Sequence, residues 1–71
     1  MTTEQRDSQQ TALAVGRRAA DALAEALDAA GFSLPSLSGG FPLMGTAQVE
    51  LGGLSAVETL RLARWIQERV R

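Results

Sequence analysis

Trp65 lies between Arg61 and Arg69, four residues away on either side, in the stretch RLARWIQER. On a helix that spacing brings both guanidinium groups to the indole, where they can stack on its face. Tryptophan and arginine are also the residue types that most often carry the energy of a protein interface. Together with Arg64, these residues are the candidate partner-binding surface. The alternative expectation for Trp65 is a peripheral core role, with the N-terminal tail or the loop after Gly39 folded over the ring.

Other chemistry has little to work with. The chain contains no histidine, cysteine or lysine, so the usual general base, thiolate ligands and an amine nucleophile are all missing. Ser36, Ser38 and Ser55 have no base to activate them and read as turn and cap residues. Asp21, Glu25 and Asp28 share one helical face, a spacing that can present carboxylates to a hard cation. Arg17 and Arg18 lie within a turn of Asp21, however, and no loop carbonyl or second helix completes a site, so a solvated face is the better account. Gly52-Gly53-Leu54-Ser55 precedes a helix start, where free N–H groups favour an anion, yet the Gly-Lys-Ser/Thr ending of a phosphate loop is absent. A tight turn explains the glycines. We therefore expect a non-enzymatic protein with no cofactor and no metal.

Two helices and a short hairpin must position these residues. From Ser8 to Ala30 the chain consists of strong helix formers without proline, and Gly31 follows where a left-handed cap belongs. Leu13, Ala20 and Leu27 recur at seven residues, as do Gly16, Leu23 and Ala30, while Ala12, Ala19 and Ala26 form a third row. These rows make a shallow seam that another backbone can approach closely. Ala12, Gly16, Ala19, Leu23 and Leu27 are accordingly the candidate self-association residues, in competition with packing on the second helix of the same chain. Two prolines and five glycines between Phe32 and Gly53 end the helical pattern. Within that stretch, Phe32 to Leu37 and Ala47 to Leu51 are the candidate strands, and Phe41, Leu43 or Met44 should fold back onto the core. Ser55 opens the second helix, and Glu58 three residues on predicts a reciprocal capping box. At about 100° per residue, Ala56, Thr59, Leu60, Leu62, Ala63, Ile66 and Val70 gather on one broad face, and Trp65 falls nearly opposite its centre.

Size explains why a partner is expected. Chains of 71 residues bury only about 60% of the surface that their unfolded form exposes, so a core with neither disulfide nor metal is marginal. A second subunit is the remaining stabiliser. Seven arginines against eight acidic residues give a net charge of −1, which supplies no field for nucleic acid or anionic membrane. The polar start MTTEQRDSQQ has no apolar signal core, and no apolar run reaches the roughly 20 residues of a membrane span. The expected organisation is a disordered tail over residues 1–8 and one small domain over 9–71, in a cytoplasm.

Leu34-Pro35-Ser36-Leu37, Val49-Glu50-Leu51-Gly52 and Leu54-Ser55, leading into a helix with Leu62-Ala63, resemble small actinobacterial proteins of the Streptomyces type. The likeness covers roughly residues 27 to 70 and lies in apolar, glycine and cap positions. It implies a compact two-helix domain in an actinobacterial cytoplasm and no catalytic residue. The sequence thus predicts an α+β chain of long helix, two-stranded hairpin and second helix (αββα), monomeric or dimeric, that binds another protein or itself. The alternative is a small DNA-associated regulator or antitoxin-like protein. In it, the C-terminal helix, with four arginines and two glutamates over residues 58–71, meets phosphates.

Overall fold

The computed structural model describes residues 3–70 and has four elements: α1 (Thr3–Ala30), β1 (Ser38–Gly39), β2 (Val49–Glu50) and α2 (Ala56–Arg69). The order is the αββα arrangement that the periodicity predicts. Helix α1 starts at Thr3 and not at Ser8. Between Thr3 and Ser8 there is neither glycine nor proline, so nothing stops the helix from running back into the segment expected to be disordered. Met1 and Thr2 of that expected tail, and Arg71 at the other end, lie outside the described residues.

At its C-terminus α1 ends in a double hydrogen-bonded cap. Gly31 takes φ 85°, its N–H donates to the Asp28 carbonyl at 3.0 Å, and the Phe32 N–H donates to the Leu27 carbonyl at 2.8 Å. This is the Schellman pattern, in which the residue after the glycine normally packs against the helix three positions before the cap. Leu27 and Phe32 are both buried, and with Ala12 and Ala20 they form the apolar core.

The chain then turns. The Leu37 N–H donates to the Leu34 carbonyl at 3.1 Å, so the segment expected as the first strand is a β-turn, with Pro35 at its second position, where the fixed φ of proline fits. The strand instead forms at Ser38 and Gly39, which pair antiparallel with Glu50 and Val49. The Gly40 N–H continues the ladder to the Gln48 carbonyl at 3.0 Å. Beyond it the register slips by one residue. Leu43 pairs with Thr46, leaving Phe41 and Pro42 together opposite Ala47, a bulge in which the missing N–H of Pro42 costs no ladder bond.

Leu43 and Thr46 exchange both backbone hydrogen bonds at 2.9 Å around Met44 and Gly45, whose φ values are 50° and 79°. Two central residues with positive φ define the mirror-image turn that suits the twist of a hairpin. The tip thus points away from the molecule. Met44 is 98% exposed and Phe41 81%, with Leu43 also exposed, which corrects the expectation that one of them folds onto the core. The core face of α1 is already occupied by the backbone at the base of the hairpin, and the bulge and turn carry these side chains past it.

Glycine permits that seating. A Cβ on Gly16 would sit 2.5 Å from the Gln48 carbonyl oxygen, and one on Gly39 would sit 2.8 Å from the Arg17 backbone nitrogen. Helix and hairpin therefore touch backbone to backbone, and the hairpin, not α2, fills the small-residue seam of α1. Among the described residues, helix α2 packs along neither α1 nor the hairpin, and it contains no buried residue. The result is elongated. The radius of gyration is 15.2 Å, whereas a compact domain of this length has about 11 Å.

Candidate functional site

Helix α2 begins where the sequence places it. Ser55 is extended, and its hydroxyl accepts from the Glu58 N–H at 3.1 Å. The reciprocal half of the capping box is replaced by an ion pair: the Arg61 Nη2 donates to Glu58 Oε2 at 2.8 Å, and its Nε donates to both carboxylate oxygens at 3.2 Å. These hydrogen bonds from Arg61 hold the Glu58 carboxyl below its ordinary pKa, and Glu58 in turn raises that of Arg61. Thr59 completes the helix start by donating its hydroxyl to the Ser55 carbonyl at 2.8 Å.

Arg61 also reaches across the chain. Its Nη2 donates to the Gly31 carbonyl at 2.9 Å, and its guanidinium lies 4.2 Å from the centroid of the Phe32 ring. The last turn of α1 has no basic residue of its own, so Arg61 supplies a cation at the negative end of that helix. Phe32 meets Trp65 edge to face, with centroids 6.0 Å apart and planes at 78°, an orientation that brings the positive rim of one ring to the π face of the other. Arg69 closes the series. Its guanidinium lies 3.9 Å from the indole centroid and donates to the Trp65 carbonyl at 2.9 Å.

Of the residues expected to form an outer binding surface, Arg61, Trp65 and Arg69 are thus engaged within the chain. Arg69 stacks on the indole as anticipated, while Arg61 stacks on Phe32 instead. Trp65 is half-buried, and its neighbour is Phe32 at the end of α1. Arg64 is exposed and makes no ion pair among the described residues. Phe32 was missed as a site residue, although its place directly after the capping glycine was a usable signal.

In α1, the residues assigned to self-association separate into two groups. Ala12, Gly16 and Leu27 are buried within the chain, whereas Ala19 and Leu23 are exposed. Asp21, Glu25 and Asp28 are exposed as well, and among the described residues no group of three or more histidine, cysteine, aspartate or glutamate side chains converges. A shallow groove of about 440 Å³ runs between α1 and the hairpin tip, lined by Ser8, Thr11, Ala12, Val15, Gly45 and Ala47. Among the described residues that line it there is no charged side chain and no nucleophile with a base.

The apolar face that the sequence places on α2 is turned outward in the structure. Because Trp65 turns toward Phe32, the opposite side of the helix turns away. Ala56, Thr59, Leu60, Ala63, Ile66 and Val70 are all exposed, and only Leu62 of that face is partly covered. Leu60 retains 63% of its surface and Ile66 46%. Gln67 lies on the same side, so an uncharged strip runs the length of the helix. Such a contiguous apolar strip on a folded chain marks an interaction surface more often than isolated exposed residues do. Among the described residues no helix is long and apolar enough to cross a membrane. Compared with known proteins, the chain matches no family model, no curated protein and no solved structure.

Proposed function

We propose that this chain is a non-catalytic protein-binding module of the cytoplasm, and that its docking face is the uncharged side of α2. The observation that carries the reading is the orientation of that helix: the half-buried side is the one bearing Trp65, and the aliphatic side is the one in water. The chemical inventory supports it, since the sequence has no histidine, cysteine or lysine and its serines serve turns and caps. Arg61 and Arg69, although exposed, already stack on and donate within the chain to Phe32, Gly31 and Trp65, which leaves them less free to meet phosphates. This disfavours the DNA-binding alternative.

The test compares the immobilised chain with its Leu60→Glu/Ile66→Glu variant for retention of proteins from an extract of the source cells and of free copies of the chain. A stoichiometric protein, whether another species or the same chain, is expected to stay on the original and to be lost from the variant. Retention of nothing by the original chain refutes the reading.

A further inference from the structure

We infer that α2 is a latch: it opens as a unit about Gly53 when Trp65 and Arg61 leave Phe32, while α1 and the hairpin stay folded. The latch does not depend on an occupant of the aliphatic face.

Attachment of α2 is concentrated at one point. Among the described residues, the hydrogen bonds and ring contacts that tie it to the rest of the chain all end on Gly31 and Phe32. Arg61 donates to the Gly31 carbonyl at 2.9 Å, its guanidinium covers the Phe32 ring at 4.2 Å, and Trp65 meets the same ring edge to face with centroids 6.0 Å apart. Glu58 and Arg69, by contrast, bond within α2. The remainder of the fold is built differently. Helix α1 and the hairpin meet backbone to backbone at Gly16 and Gly39, and Ala12, Ala20 and Leu27 are buried, whereas α2 has no buried residue. Regions with few buried contacts open at lower free energy than the core, and they do so as contiguous units.

Two glycines before α2 divide the anchored chain from the free one. A Cβ on Gly52 would collide with Ser36, and Gly52 takes φ 75°, so that residue is seated on the turn from Leu34 to Leu37. A Cβ on Gly53 would meet nothing within 4 Å, which leaves this residue free to swing with the wide backbone freedom of glycine. Helix α2 has 14 residues, and helices shorter than about 12–15 residues are marginal alone in water. Leaving Phe32 therefore removes the tertiary support of α2, so that undocking and melting are one event. Helix α1, with 28 residues and its doubly bonded cap, keeps its seat on the hairpin. Opening uncovers Phe32, which is only 6% exposed when the latch is closed. A single contact thus governs both access to that ring and the folding of α2.

Trp65 is the only tryptophan and the chain has no tyrosine, so its emission reports the latch directly. The full-length chain, at one low concentration, is unfolded in urea and followed by Trp65 emission and by circular dichroism, and native-state hydrogen exchange is read residue by residue. The emission should shift to the red at lower urea than the main loss of ellipticity. Amides from Leu60 to Arg69 should exchange at least about tenfold faster than those from Gly16 to Leu27. Trp65→Ser, which removes the ring at nearly unchanged helix propensity, should speed the α2 amides by a further factor of about ten and leave those of α1 within about twofold. Coincident transitions, with the amides of both helices exchanging at one rate, overturn the inference. So does Trp65→Ser if it speeds exchange in α1 and α2 equally. Amides of α2 that exchange like those of an unstructured peptide in the original chain overturn it as well, because nothing then holds the latch shut.

Discussion

Replacing Gly16 by alanine sets two well-measured effects against each other, and the structure decides the sign. In the middle of a solvated helix the change stabilises by about 1 kcal/mol, because glycine loses more backbone entropy on becoming helical. At this position the new Cβ would lie 2.5 Å from the Gln48 carbonyl oxygen, with the Gly40 carbonyl oxygen behind it at 3.7 Å. The obstacle is backbone and cannot rotate aside. Relief requires the hairpin to lift by several tenths of an ångström from α1, and overpacking of this kind costs about 1–3 kcal/mol. The net expectation is a loss of about 1 kcal/mol. For a domain of this size that corresponds to a midpoint lower by about 4–8 °C.

The assay is thermal and urea unfolding of the original chain and of Gly16→Ala, followed by circular dichroism at a fixed concentration so that association does not contribute. Ala19→Gly serves as the control, because Ala19 is exposed and should show only the helix effect of about 1 kcal/mol in the destabilising direction. If Gly16→Ala raises the midpoint as an isolated helix would, the hairpin does not rest on Gly16, and the backbone-to-backbone core described above is refuted.

Two other expectations follow from local geometry. Met44 holds a left-handed conformation at φ 50° while fully in solvent, so Met44→Asn, which suits that position of the turn, should stabilise the chain by about 0.5–1 kcal/mol in urea unfolding. A destabilised variant would mean that the methionine side chain holds the tip in place. The lowered pKa of Glu58 means that its folded carboxyl binds a proton less readily than its unfolded one. Its contribution is therefore present above the unfolded pKa of about 4.3 and lost as pH falls through the lower folded value. The midpoint gap between the original chain and Glu58→Gln should close on acidification and shrink with salt, and a gap that widens in acid contradicts the Arg61 pairing.

Elements with local signals were legible in the sequence. Ser55 and Gly31 mark helix ends because a hydroxyl acceptor and a residue free to take positive φ satisfy backbone groups within a few positions, and both ends fall where those residues predict. The strands were harder. Phe32 to Leu37 carries strand-like side chains, but Pro35 directs a turn, and the pairing moved to Ser38 and Gly39, where absence of a side chain matters more than strand propensity. Small residues at Gly16, Gly39 and Gly40 announce a close approach without naming which backbone approaches. The broad face of α2 was legible as apolar. That it turns outward was not, because its orientation is set by long-range contacts of Phe32 and Gly31 with Trp65 and Arg61.

Those contacts link the orientation of α2 to the proposed docking face as well as to packing. An edge-to-face pair adds about 0.5–1.5 kcal/mol beyond its buried area. Fully burying a leucine, isoleucine or valine gains about 1.5–3 kcal/mol. Leu60, Ile66 and Val70 all remain exposed, so turning the aliphatic face inward would recover an amount of the same order as the packing of Phe32 on Trp65 contributes. For an isolated chain the two orientations are therefore in near balance. Covering the aliphatic face from outside removes the competition, because the Trp65 side then keeps its contacts while the other side loses its exposure to water. A partner on α2 would thus fix the helix in the observed orientation as well as bind to it, and the clasp around Phe32 would be the part of the fold that presents the docking face.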